Sequence, residues 1–405
     1  MSIPTPIFDR PQYCVGDIFR KYGDEYKATH AMSPQQRKVF RNVSRCRTSA
    51  LGGHLYECGH GCGYEVPAYN CCQDRHCPMC QGIAMRKWLD GRMEELLAVP
   101  YFHTVFTVSH GFNVLIPYNE RLFYDALFSA ASFSLDKLAG KHLGGKVGVI
   151  AILHTWGQKL QRHVHLHCLV TGGALSHDRK RWTPTSDKQL FDVYELSETF
   201  RDRFCHIIRR YFRQDRLKFQ RQATYLAQGQ AFEALMEEQE SQPWTVFCKR
   251  PFAGPEKVVE YLGRYSHRVA ISNRRIKSIA NGRIVFAYKD YRDLDAQQAP
   301  KHKEMNVSAE TFIQQFLLHV LPKGFRKIRY YGFLGSNQRS EMVKLCRRLI
   351  AEQGLVYTDP EEVDSGELPR EEPVCPCCGG PLHLKSALKP QRAGPKQPDG
   401  QRKVA

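Results

Sequence analysis

The chain has 405 residues, length for about two or three folded units at roughly 150 residues each. A hydrophobic share of 42% beside 25% charged residues excludes a collagenous, wholly disordered or membrane-embedded chain. Lys and Arg number 59 against 41 Asp and Glu, and the resulting +18 exceeds what solubility requires and asks for a polyanionic partner.

The first residues, MSIPTPIFDRPQY, lack a basic start followed by an apolar run, and no stretch nears 18 uncharged apolar residues, so neither an export signal nor a membrane span is expected. FRKYGDEYKATH and MSPQQRKVFRNVSRC space apolar and basic positions as short helices do. A segment from His54 to Gln81 follows, rich in Gly, Cys and His. Of the 15 cysteines, six fall between Cys58 and Cys80 and three more at Cys375, Cys377 and Cys378. Such clustering is metal-ligand spacing rather than a spread of disulfides, and points to a reduced, cytoplasmic protein. Tetrahedral zinc takes two close pairs of ligands. Cys77-Pro-Met-Cys80 is one pair and Cys58-Gly-His-Gly-Cys62 the other, with Cys72, Cys71, His76, His60 and His54 as alternates, so a structural zinc is expected here.

IAMRKWLDGRMEELLAV reads as a helix, YFHTVFTVSH as a strand and RLFYDALFSAASFSLDKLA as a helix with one apolar face. VGVIAILHTW and VHLHCLVTGG are two strands expected to pair antiparallel. Residues 197–240 read as helical, opening on RDRFCHIIRRYFRQDRLKFQR, where Arg209, Arg210 and their neighbours could track a phosphate backbone; a solvated basic face has the same pattern. WTVFCKRP is a strand, PEKVVEYLGRYS a helix with Pro255 in its first turn, and HRVAIS and GRIVFAYKD two further strands, the second preceded by an Asn281-Gly282 turn. SAETFIQQFLLHVLPKGF reads as a helix and FRKIRYYGFL as a basic, aromatic strand. Past RSEMVKLCRRLIAEQG the composition turns acidic and Pro-rich, crosses the knuckle Cys375-Pro-Cys-Cys378, where His383 could join, and ends in a segment expected to be disordered. The fold class is α+β with a mostly antiparallel sheet.

His163-Val-His165-Leu-His167 puts three imidazoles on one face of a strand, because successive side chains alternate. Two of them can reach one divalent ion, with Gln158, His154 or His267 as third ligand and open positions for phosphate and water. A polar strand of hydrogen-bonded histidines has the same spacing. Tyr261-Leu-Gly-Arg-Tyr265 sets two phenols four apart, on one helix face. A tyrosine beside a metal-bound phosphodiester can act as nucleophile and conserve the bond energy as a phosphotyrosine. Packing alone accounts for many such pairs; here Arg264, Arg268, Arg274 and Arg275 stand near it in sequence as cations that could hold a phosphate backbone.

YNCCQDRHCPMCQ, HTWGQKLQRHVHLHCLVTGG, YLGRYSHRVAISNRRI and FLLHVLPKGFRKIRYYGFL, in that order and across residues 15–380, resemble the two-tyrosine rolling-circle transposases of bacterial insertion sequences, within the HUH endonuclease superfamily. The resemblance implies residues 1–98 as N-terminal helices and a zinc-binding domain, 99–350 as an HUH-type catalytic domain with a central antiparallel sheet and flanking helices, and 351–405 as a largely disordered tail. It implies His165 and His167 as catalytic metal ligands for Mg²⁺ or Mn²⁺, with His163 at a position where the family often has histidine, and Tyr261 and Tyr265 as paired nucleophiles. The reaction implied is nicking and rejoining of single-stranded DNA at element ends through a 5'-phosphotyrosine and a free 3'-hydroxyl. Partners implied are transposon-end and target DNA, with self-association compatible and no membrane. The Cys58 to Cys62 spacing is one residue longer than the family's CxxC, and Cys71 is an extra thiol beside Cys72. A non-enzymatic zinc-dependent DNA-binding protein, or a plasmid or phage replication initiator, shares much of this pattern.

Overall fold

The protein is described by a computed structural model over residues 11–82, 85, 96–185, 190–252, 263, 268–295, 297–335, 337–355 and 374–391. Tyr261, Arg264, Tyr265 and His267, most of the expected helix 83–99, and the terminal stretch 392–405 lie outside the described residues.

The chain opens with helices α1 (Val15–Thr29) and α2 (Pro34–Arg45). Helix α2 starts at a capping box: the Ser33 hydroxyl accepts from the Gln36 amide, the Gln36 side chain accepts from the Ser33 amide, and Pro34 suits the first turn. A hairpin of β1 (Gly53–Cys58) and β2 (Glu65–Tyr69) follows, then β3 (Tyr101–Thr107), the long helix α3 (Ile116–Leu143), β4 (Gly145–Trp156), β5 (Arg162–Ser176) and the short β6 (Trp182–Pro184). Helices α4 (Val193–Arg213) and α5 (Gly229–Ser241) lead to β7 (Val246–Phe252). The rest comprises β8 (Ile276–Ala280), β9 (Arg283–Leu294), β10 (Pro300–Ser308), α6 (Ala309–Leu317), β11 (Ile328–Gly332), α7 (Arg339–Glu352) and β12 (Leu382–Leu388).

The central sheet runs β11-β4-β5-β3-β7 with every pairing antiparallel. Side-chain alternation divides it into two faces. Val149, Ala151 and Leu153 of β4 join Val164, Leu166 and Cys168 of β5 in a core shared with Phe123 and Leu127 of α3 and Phe200 and Phe204 of α4. Each fully buried Val, Leu or Phe among them contributes roughly 1.5–3 kcal/mol. On the opposite face, Ile150, Ile152 and Leu169 pack under Met342, Val343 and Cys346 of α7. Beyond that helix the same face carries the histidines.

A second sheet, β10-β9-β8, packs against α1, α2 and α6 in one core containing Ile18, Phe19, Phe40, Cys77, Ile284, Phe286 and Phe316. Phe19 stacks on Phe40 at 4.5 Å and meets Phe316 edge-on at 5.3 Å. The N-terminal helices therefore share their core with residues 270–320, and position 98 is not a packing boundary. A third sheet, β12-β1-β2, pairs residues 382–388 with residues 53–58, so the stretch 374–391 is structured rather than tail.

Several expected elements shift. HRVAIS is not a strand where it is described: residues 268–272 run into a turn at Asn273–Arg275, and the strand begins at Ile276. The Asn281-Gly282 turn has both residues at positive φ, 49° and 70°, as a tight hairpin between twisted strands requires. The helical stretch 197–240 breaks between α4 and α5, where Asp215 adopts φ 52°. Strand β10 was not expected at all.

Candidate active site and metal centres

Strand register assembles the imidazoles. His154 of β4 lies directly opposite His165 of β5, and His167 sits two residues further along the same face. His154, His165 and His167 offer ring nitrogens that all lie within 4.8 Å of one another, the spacing of three ligands around one ion. The His165 Nδ1–H donates to the carbonyl of His163 at 2.8 Å, which leaves Nε2 with a bare lone pair. His167 Nδ1 is 2.9 Å from Nε2 of His103 on β3, and the tautomer with Nδ1–H donating likewise frees its Nε2. Burial, with the neighbouring His163, takes His165 down to about 3, and burial with Lys249 takes His103 to about 4. His167 is pushed well below its ordinary value by burial and by His165. At neutral pH the His103, His165 and His167 rings are therefore uncharged, and a neutral imidazole is the form a metal requires.

The other proposed ligands stand elsewhere. His163 turns to His110, with Nδ1 to Nε2 at 3.0 Å. Gln158 is not at the imidazoles: it lies in the β4–β5 turn, its carbonyl accepting from Arg275, its side chain 3.5 Å from the Lys289 amide. Of the candidates for third ligand, His154 stands at the pair and Gln158 does not, while His267 lies outside the described residues.

Trp156 stacks on His154 at 4.7 Å and forms one wall of a cavity also lined by Arg75, Arg268, His319 and Lys327. Lys327 donates to the carbonyl of Arg268 at 2.7 Å and lies 5.2 Å over the Trp156 ring. Burial, together with Arg75 and Arg268, lowers its ammonium to about 7. An adjoining cleft is lined by Pro78, Gln81, Arg268, Ser272 and Gly263, the residue midway between Tyr261 and Tyr265 in sequence. Arg268, Arg274 and Arg210 are exposed. Two of the expected DNA-binding arginines are committed within the protein instead. Arg209 ion-pairs with Glu233 at 2.8 Å and with Glu240, clamping α4 to α5. Arg275 donates to Ala287 at 2.7 Å and to Gln158, and burial beside Arg268 brings it down to about 10.

The cysteines form two quartets, not the single set Cys58, Cys62, Cys77 and Cys80. Cys46, Cys72, Cys77 and Cys80 converge in one group, and Cys58, Cys62, Cys375 and Cys378 in another. The physical reason is strand pairing: β12 lies against β1 and carries its knuckle to Cys58, while Cys46 at the end of α2 meets Cys72 and Cys80. In the first quartet Cys46 and Cys80 are 3.6 Å apart, as are Cys72 and Cys80, and hydrogen bonds from Cys46, Cys72 and Cys77 draw Cys80 toward thiolate. The alternates fall out for identifiable reasons. His76 uses both nitrogens, with Nδ1 on Asp74 at 3.0 Å and Nε2 accepting from the Leu321 amide at 3.1 Å. His54 sits on β1 opposite Ala68, and His60 and His383 flank the second quartet without joining it. Cys71 packs against the core beside its quartet.

Three residues outside the sequence-based set belong to these centres: His103, Lys327 and Cys46. His103 stands in a strand 64 positions before its partner, Lys327 in a run readable only as basic, and Cys46 twelve positions ahead of the dense cysteine cluster.

Comparison with known proteins agrees with this arrangement. A family described as "Putative transposase" matches residues 148–341, which contain the histidine strands, and one described as "Transposase zinc-binding domain" matches residues 18–108, which contain the first quartet. The chain is 43% identical over 354 residues to "Putative transposase y4qJ" of Sinorhizobium fredii, covering 87% of each chain. It is 31% identical over 296 residues to "Transposase for insertion sequence element IS801" of Pseudomonas savastanoi pv. phaseolicola, covering 72% of this chain and 68% of the relative. No solved structure matches it. Among the described residues no helix is long and apolar enough to cross a membrane. The chain belongs to the family of insertion-sequence transposases that carry a transposase zinc-binding domain.

Proposed function

We propose that this transposase nicks and rejoins single-stranded DNA at insertion-sequence ends by tyrosine attack, with His154, His165 and His167 holding the catalytic cation. The convergence of those three rings, two of them oriented through Nδ1, carries the reading. A hard divalent ion there, Mg²⁺ or Mn²⁺, supplies Lewis-acid polarisation of the scissile phosphate. Tyr261 or Tyr265 attacks phosphorus, the bond to the 3'-oxygen breaks, and that oxygen leaves as a hydroxyl once protonated. The reverse attack by a 3'-hydroxyl on the 5'-phosphotyrosine rejoins the strand, and the second tyrosine serves the other end. Arg268, which lines both the Trp156 cavity and the Gly263 cleft, supplies positive charge for the strand's phosphates. The Cys46, Cys72, Cys77 and Cys80 quartet holds a structural zinc inside the core that α1 and α2 share with β8, β9 and α6.

The test is incubation with end-derived single-stranded DNA and Mn²⁺, followed by a denaturing gel. Wild type forms a protein–DNA adduct, and H165A/H167A binds the DNA but forms none. A metal-stimulated adduct in that variant removes the ligand assignment. Tight binding without any adduct in wild type favours the non-enzymatic DNA-binding reading.

A further inference from the structure

The second cysteine quartet lies outside the reach of both family matches at its C-terminal half, since Cys375 and Cys378 follow residue 341. Its geometry is specific. Cys58 Sγ is 3.3 Å from Cys378 Sγ, and Cys62 Sγ is 3.5 Å from Cys375 Sγ. A disulfide would bring sulfurs to about 2.05 Å, whereas four thiolates at about 2.3 Å from a zinc ion lie about 3.8 Å apart along a tetrahedron edge. The observed spacings are close to the tetrahedron.

The backbone builds the same site. Each knuckle turns tightly: Gly61 N–H donates to Cys58 O at 3.1 Å, and Gly379 N–H to Cys375 O at 2.8 Å, both glycines at positive φ. The two turns are tied together by Gly59 N–H donating to Pro381 O at 2.8 Å. The three-stranded sheet that carries them has almost no apolar core, with Cys58, Cys375 and Leu382 as its buried apolar cluster and Tyr56, Tyr64 and Val66 around it. So small a cluster cannot offset the conformational entropy of ordering three strands. A metal bound by four thiolates can.

We infer that Cys58, Cys62, Cys375 and Cys378 bind a second structural zinc, a clasp that fastens the C-terminal segment 374–391 to the N-terminal β1–β2 hairpin. The Lys385 ammonium bridging Glu57 at 2.8 Å and Glu65 at 2.5 Å on the outer surface of the same sheet adds a minor, solvent-screened contribution. Cys377, between the two C-terminal ligands and exposed, is left out of the quartet and provides a built-in control.

The test is metal counting by plasma mass spectrometry on the full-length chain, purified reduced and with zinc supplied. C375S/C378S should contain one zinc per chain fewer than wild type, and C377S the same number as wild type. Native Cys375 should also resist alkylation until a chelator is added. Equal zinc in wild type and C375S/C378S overturns the inference, as does rapid alkylation of native Cys375 before any chelator is added. The readout depends neither on DNA cleavage nor on the first quartet, so a failed cleavage reaction leaves it standing.

Discussion

His103 illustrates what a single residue does at the histidine face. It fixes the ring of His167 through a 2.9 Å hydrogen bond to Nδ1. Partners of this kind typically hold about 10- to 100-fold of metal affinity. H103F should therefore shift the Mn²⁺ concentration for half-maximal adduct formation upward by about that factor, while adduct yield recovers at saturating metal. An unchanged Mn²⁺ titration contradicts this positioning role. The same burial makes a prediction about acid. His103 and His165 have folded values of about 4 and about 3, below the ordinary 6.5, so the unfolded chain takes up protons that the folded chain refuses. Stability from these groups is fully present above pH 6.5 and is lost as pH falls toward 4. Glu120, raised by burial to about 7 despite Arg162, works in the opposite sense over that window, but it is one group against several buried imidazoles. The metal-free chain should accordingly melt at a lower temperature at pH 4.5 than at pH 6.5; a flat or rising profile on acidification counts against neutral burial.

Elements decide which arginines are available. Arg209 belongs to the clamp between α4 and α5, whereas Arg268 is exposed beside Trp156 and Lys327. R209A should lower the melting temperature and leave the salt dependence of DNA binding unchanged. R268A should weaken single-strand binding and lower the slope of log affinity against log salt by about 1. The reverse pattern in a filter-binding titration would return Arg209 to the DNA interface. Helical spacing and basic composition could not separate these two residues, because ion-pair partners such as Glu240 lie on a different helix, 31 positions away. The histidine face, by contrast, was legible, since period two in a strand fixes which side chains share a side. HRVAIS misled because a short β-branched run says nothing about whether a neighbouring strand is there to pair with it.

At the scale of the whole molecule, the largest departure from the sequence reading is closure. Residues 382–388 pair with the β1–β2 hairpin in the β12-β1-β2 sheet, and the N-terminal helices share a core with β8, β9 and α6. Local cysteine pairs were readable, but which pairs combine depends on β1 meeting a strand more than 300 residues away, and no spacing rule reaches that far. The excess of +18 likewise acquires a proposed use only once Arg268 is placed in the cavity walled by Trp156, which stacks on His154. The central claim, that this face supports tyrosine attack on a phosphodiester, is tested most directly by digesting the Mn²⁺-dependent protein–DNA adduct and mapping the modified peptide by mass spectrometry. Tyrosine attack yields a 5'-phosphonucleotide on Tyr261 or Tyr265 and no adduct from Y261F/Y265F. A modification on any other residue, or an adduct persisting in that double variant, would contradict it.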